Sequence, residues 1–420
     1  MAVPSYDRRA LAPSVVHMSV GSFHRSHQAV YLDELARAGH RGWGLTGVGL
    51  RRRAMHEALG PQDWLYTVVE RGAEVDAARV VGVMGRYLFG PDRPAAVLAA
   101  LADERTRLVT LTITAAAYAD DAGAPSALGL LVDALDRRRR AGRAPFTVLS
   151  CDNLPANGDA TRAAVVARAL ARDERLARWI EEHVAFPSSM VDRITPQTTE
   201  EDRARLAAQF GLDDRWPVMT EPHSEWVVED AFCNGRPPLE DVGVRFVADV
   251  RPYSLIKTRL LNATHCAIGP LGTLAGLRRT DEVMADPTLR SYVERLTGDE
   301  IAPLLPRVPG LDVVEYRRAV LRRLANPKIG DQLARLCRGG ALKVPRQLAP
   351  SIAARRAAGM PHPLLTLAVA GFLAHSGEPR RVLGALVEDS GFVAELEAAR
   401  RAIETQGVRA VLAGGARLAA

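Results

Sequence analysis

The chain is poor in cysteine, in aromatic residues and in long apolar runs. Its four cysteines, Cys151, Cys233, Cys266 and Cys337, are far apart and form no CxxC pair, which argues against a structural zinc site and a disulfide framework. No apolar run reaches the roughly 18 residues of a membrane span, and the first residues, MAVPSYDRRALAP, lack the apolar core of a signal peptide. A cytoplasmic protein without a membrane partner is the expectation. Aromatic residues make up 5% of the chain. None interleaves with the basic residues and no nucleic-acid motif is present, so a net charge of +6 does not imply a nucleic-acid partner. The cations are mostly Arg, scattered among acids through Ala/Leu/Arg helices. Even the run Arg137 to Arg140 closes a helical pattern, where cations suit the helix dipole.

What is present is an ordinary globular composition, 47% hydrophobic and 25% charged, over 420 residues. That length predicts two domains. Strand and helix patterns alternate up to about residue 250, and helical periodicity takes over afterwards, with breaks at Pro and Gly. The expected fold is α/β: a Rossmann-like N-terminal domain over 1–250 followed by a mostly α-helical domain over 251–420.

The first organised unit is SVVHMSVGSFHRSHQAVYLDELARAG, residues 14–39. It reads as a strand through Val20, a turn at Gly21-Ser22 and an amphipathic helix from Phe23 to Ala38. A second strand follows at Trp43 to Leu50. Strand, small-residue turn and helix place a pyrophosphate at a helix start, although any βαβ unit shares this order. The glycine fingerprint is sparse, because Ser19 and Ser22 stand where glycines are expected. Past the second strand come Arg51, Arg52 and Arg53 instead of an acid. An acid there suits the ribose of NAD, whereas Arg suits the 2′-phosphate of NADP, so tolerance of NADP is expected.

The most informative stretch is DVRPYSLIKTRLLNATHCAIG, residues 249–269. Lys257, Asn262 and His265 lie among Leu255, Ile256, Leu260, Leu261 and Ile268. An apolar site lowers the pKa of a Lys until it can serve as a general base. A neighbouring amide can hold an alkoxide or carbonyl oxygen, and an imidazole can fix a hydroxyl. On an ideal helix Asn262 lies roughly 140° and His265 roughly 80° round from Lys257. Such a spread suits an elongated substrate or a locally distorted helix. A core helix carrying three satisfied polar residues would show the same pattern.

Seven segments in order, FHRSHQAVYLDEL (23–35), SCDNLPANG (150–158), FPSSMVDRITP (186–196), WVVEDAF (226–232), LIKTRLLNATH (255–265), GDQLARL (330–336) and KVPRQLAPSI (343–352), resemble the mannitol dehydrogenase family of long-chain polyol and sugar-acid oxidoreductases. The resemblance implies metal-independent interconversion of a secondary alcohol and a ketone with NAD or NADP. It implies Lys257 as general acid–base and Asn262 with Asn153 as the amides on the reacting oxygen. His265 and Asp192 match substrate-orienting residues, and Arg335 with Lys343 match positions that reach the far hydroxyls or an acidic group. Gly21, Ser22, Phe23 and Arg51 match the cofactor site. The implied partners are a polyol, ketose or sugar acid, and the implied state is a monomer or weak homo-oligomer.

The chain departs from the family pattern at Ser19 and Ser22 in the turn and at Ala115, where the family has an acid. It departs again at Ser254, where some members carry Glu, and at Gly339-Gly340-Ala341 before Lys343. It is therefore identified as a divergent member. These departures also frame a second reading, a catalytically weakened relative that binds dinucleotides or protein partners.

Overall fold

The structure is a computed structural model that describes residues 1–114, 116–119 and 126–414. Ala115 and most of the final AGGARLAA, expected to fray, lie outside the described residues. The chain divides into two compact units, Met1–Arg251 and Pro252–Ala420.

The first unit is organised by a five-stranded parallel sheet. Its strands are β1 (Val15–Met18), β2 (Leu45–Gly49), β3 (Met84–Phe89), β4 (Leu108–Leu111) and β5 (Thr147–Ser150), in the order β3-β2-β1-β4-β5. β1, β2, β4 and β5 are buried at every position, as expected of a sheet covered on both faces. The order reverses direction at β1/β4, the place where open α/β sheets bind ligands at strand C-termini. Two three-stranded sheets flank this core. One holds Tyr66–Arg71 with Asp76–Val81 and Val218–Thr220, and the other holds Ser189–Asp192 with Glu225–Glu229 and Arg245–Val247.

The helix expected over 23–38 is broken. α1 covers Ser22–Ser26 and α2 covers Gln28–Arg37, with His27 at φ −118, ψ −88 between them. The break lets the buried His27 ring lie edge-on to Tyr31 and Trp226. Its Nε2 donates to the Glu225 carbonyl at 3.0 Å. Tertiary contacts around one ring thus override a continuous helical period.

The second unit is helical among its described residues. The helix from Arg251 does not run straight through the stretch 249–269. A regular segment ends at Lys257, a π turn covers Thr258–Asn262, and α3 (Ala263–Leu274) follows. α3 packs closely on α4 (Leu333–Cys337) and α5 (Gly340–Gln347). A Cβ on Gly272 would come within 2.7 Å of Leu333 Cδ1 and 2.8 Å of Val283 Cγ2, so any larger residue would make these side chains shift.

Candidate active site

Lys257 is 5% exposed, at the last position before the π turn. In that turn the Ala263 amide donates to the Thr258 carbonyl, five residues back. The backbone therefore spends about five residues on one wide turn. Asn262, five residues after Lys257, is the last residue of that wide turn. The ideal-helix angle of roughly 140° does not apply, because it assumes 3.6 residues per turn. Thr264 Oγ donates to the Leu260 carbonyl at 2.5 Å, occupying an acceptor next to the widened turn. His265 follows half-buried in the first turn of α3. Ser254, three residues before Lys257, is half-buried and offers a hydroxyl where an acid would supply a second titrating group.

The helices packed on α3 carry two cations. Arg335, on α4, is held by both carboxylate oxygens of the buried Asp331, one contact being Nε to Oδ1 at 2.6 Å. Lys343, on α5, donates to the Leu336 carbonyl at 3.3 Å. Burial pushes Lys343 down from its usual range, Cys266 opposes this, and neighbouring Arg335 adds to it. Cys266 in turn donates to Gln347 Oε1 at 2.8 Å, one helical turn beyond Lys343. We expect Arg335→Gln to raise KM for the polyol by about tenfold with a smaller change in kcat, as loss of uniform substrate binding would do. Steady-state kinetics would check it; an unchanged KM would contradict a role for Arg335 in binding.

In the first unit, Gly21, Ser22 and Phe23 follow β1 at the switch point. Gly21 is extended, at φ −131 and ψ −172, and a Cβ there would meet only the Ser19 carbonyl oxygen, at 3.9 Å. Arg51, Arg52 and Arg53 begin immediately beyond β2, all exposed. Arg53 is engaged by Asp92 and lies over the Phe89 ring.

Asn153 follows β5 in an exposed loop, and its neighbour Asp152 is structural. The Asp152 carboxylate accepts the Ile113 and Thr114 amides at 3.1 and 2.8 Å and the Tyr118 hydroxyl at 2.8 Å. It thereby pins the end of β5 to the end of β4. Burial pushes the Asp152 pKa up, against these hydrogen bonds. The Asn157 side chain then donates to the carbonyls of Asp152 and Ser189 at 3.0 and 2.9 Å and accepts the Ser189 amide at 2.9 Å. This clamp ties the Asn153 loop to the strand that ends in Asp192. A Cβ on Gly158 would sit 2.4 Å from the Phe186 carbonyl oxygen, which explains the glycine after Asn157.

The adjacent charges of Asp192 and Arg193 have separate duties. Arg193 is buried against Glu70 at 2.7 Å and donates to the carbonyls of Ser26 and Glu221. Asp192 is 3% exposed and lies 3.6 Å from His223 Nε2. With Glu225 these two bring three possible metal-ligating atoms within 4.8 Å of one another.

Sequence reasoning missed Asn157, His223 and Glu225. Asn157 and Glu225 lie inside or beside recognised segments, but their partners come from strand pairing, which a single sequence does not display. One unused signal is compositional. The chain holds three lysines, Lys257, Lys328 and Lys343, against 52 arginines (55 − 3). An arginine cannot give up its proton, so lysine in so arginine-rich a chain points to a place where proton transfer or a compact charge is needed.

A Rossmann-type parallel sheet with a switch point, followed by a helical unit carrying a buried lysine, is the architecture of a class of nicotinamide-dependent alcohol dehydrogenases. The comparisons narrow this. Residues 13–241 match the model of the mannitol dehydrogenase Rossmann domain, and residues 249–416 match that of the mannitol dehydrogenase C-terminal domain. The chain belongs to the mannitol dehydrogenase family. It is 40% identical to a mannitol 2-dehydrogenase of Phaeosphaeria nodorum, covering 98% of this chain and 83% of that one. It is 43% identical to a mannitol 2-dehydrogenase of Aspergillus oryzae, over 84% and 76% of the two chains. Among solved structures, it is similar to a Pseudomonas fluorescens mannitol 2-dehydrogenase in ternary complex with NAD and D-mannitol, at TM-score 0.88 and 35% identity, covering 98% and 96%. A substrate-free D-sorbitol dehydrogenase matches with TM-score 0.88 and 31% identity, covering 98% and 97%.

Proposed function

We propose that this protein oxidises a secondary alcohol of a polyol to the ketone, and reduces the ketone in return, with NAD and with Lys257 as general acid–base. The observation that carries the reading is Lys257, buried directly before a π turn whose last residue is Asn262.

The first unit suits a dinucleotide. Its switch-point turn offers backbone amides, the Ser22 hydroxyl and the side-chain-free Gly21 to a pyrophosphate. Phe23 borders that turn, and Arg51 stands where the adenosine ribose would be met, without an acid to repel a 2′-phosphate. NADP is therefore accepted as well. The nicotinamide, when bound, takes up the hydride from the carbinol carbon.

The chain's residues manage the proton and the substrate. Neutral Lys257 takes the hydroxyl proton as the carbon–hydrogen bond breaks, and returns it to the oxygen in the reverse direction. Asn262 and Asn153 donate to the reacting oxygen, stabilising alkoxide character without a full charge that would trap it. His265 and Asp192 orient neighbouring hydroxyls, and Arg335 with Lys343 meet the distal ones or the carboxylate of a sugar acid. With Ser254 in place of an acid, the Lys257 proton leaves through substrate hydroxyls or water.

A lysine base needs no metal ion. Dialysis against EDTA is expected to leave the rate within twofold of the untreated protein. A loss restored by a divalent cation would instead assign the Asp192–His223–Glu225 group to catalysis.

A further inference from the structure

Ser19 carries a side chain yet adopts φ 72, the left-handed region that favours glycine. It opens the turn that leads from β1 to Gly21 and Ser22. A residue with a Cβ keeps this conformation only when its surroundings hold it there. The Val48 carbonyl accepts the Ser19 and Val20 amides at 2.8 and 3.0 Å, and the remaining support is a buried imidazole and two hydroxyls.

His17, fully buried on β1, meets Thr110 Oγ1 through Nδ1 at 2.7 Å and Thr112 Oγ1 through Nε2 at 2.9 Å. Thr112 Oγ1 donates in turn to the Ser19 carbonyl at 3.1 Å. Because the Thr112 proton is committed to Ser19, its oxygen accepts from His17, so Nε2 bears the proton and Nδ1 accepts from Thr110. All three links run in one direction: Thr110 to His17 to Thr112 to Ser19. On its face the His17 ring stacks on His24 of α1, with centroids 3.4 Å apart and planes 12° apart. One imidazole therefore supports the turn on both sides, through the Ser19 carbonyl before it and through α1 after it.

We infer that His17 and Thr112 are positioning residues for the cofactor turn, holding Ser19 in the left-handed conformation that sets Gly21 and Ser22 toward the dinucleotide. The inference rests on the proposed use of that turn for NAD. Neither side chain touches cofactor or substrate in this scheme; both act through the backbone of Ser19.

The test is fluorescence titration of the full-length protein and its variants with NADH. Thr112→Val keeps the shape and removes the donor; we expect its Kd for NADH to rise about tenfold, with kcat at saturating NADH within twofold of wild type. Thr112→Ser, which keeps the hydroxyl, should bind within twofold of wild type. Ser19→Gly should rescue Thr112→Val, because glycine holds the left-handed conformation without the relay. A role confined to core packing would lower the thermal midpoint without this rescue of Kd. If Thr112→Val fails to fold, Thr110→Val, which cuts the relay one link earlier, is read in its place with the same expectation. Unchanged Kd in a folded Thr112→Val, or no rescue by Ser19→Gly, overturns the inference alone. A wild-type protein that binds neither NADH nor NADPH overturns the cofactor reading, and the inference with it.

Discussion

Lys257→Ala is expected to lower kcat for polyol oxidation by at least about 10³-fold while NADH still binds. General acid–base catalysis by a positioned side chain contributes roughly 10²–10⁴-fold, and in this scheme the same group also holds the proton in the reverse reaction. The variant removes the amine from the second unit and leaves the β1 turn of the first unit untouched. Lys257→Arg should be almost as inactive, since a guanidinium stays protonated at any working pH. Stopped-flow measurement of ketose-dependent NADH oxidation, together with NADH titration, separates chemistry from binding. A Lys257→Ala protein retaining more than a few per cent of the wild-type rate would refute the assignment.

The second large effect concerns acid. His17 and His27 are fully buried, and burial pushes the pKa of each down from 6.5 to about 3. His24, stacked on His17, is lowered well below its usual value, again chiefly by burial. In the unfolded chain these imidazoles titrate near 6.5. Between about pH 6.5 and about pH 3 the unfolded state therefore binds more protons than the folded state, and stability falls as pH falls. Above about pH 6.5 the contribution is present in full. Each such histidine removes about 1.4 kcal/mol per pH unit within this window, so His17 and His27 together remove on the order of 3 kcal/mol per unit. Two buried acids act the other way. Asp152 in the first unit and Glu300 in the second are raised by burial, so their protonation favours the folded state as pH falls, and only Asp152 offsets the histidines of the first unit. Their carboxylates each accept two backbone amides that hold the shift back. The net expectation is a fall of about 5–10 °C in the unfolding midpoint of the first unit between pH 7 and pH 5. Calorimetry across that range checks it, and a flat midpoint would show that these imidazoles are not held neutral.

Much of the first unit was legible because buried parallel strands write themselves as short runs of Val, Leu and Ile. Val15 to Met18 and Leu45 to Gly49 lie within the two expected strands, the first through Val20 and the second from Trp43 to Leu50. Other elements were not legible. The strand Met84–Phe89 was hidden because it follows Asp76–Val81 after only two residues, yet lies in a different sheet. The break at His27 depends on Trp226 and Glu225, some two hundred residues away in the chain. The π turn after Lys257 leaves no mark in hydrophobic period, since a single wide turn shifts the pattern by one residue. Yet it changes the rotation between Lys257 and the residues that follow it. The chemistry-bearing residue types were visible in the sequence, and the backbone irregularity that arranges them was not.

The most direct measurement is a panel of C4 to C7 polyols, ketoses and uronates assayed with the wild-type protein, using NAD and NADP in parallel. Turnover of at least one polyol with NAD, reversed by the corresponding ketose with NADH, is the expected result. Nucleotide binding without turnover of any member of the panel would contradict it.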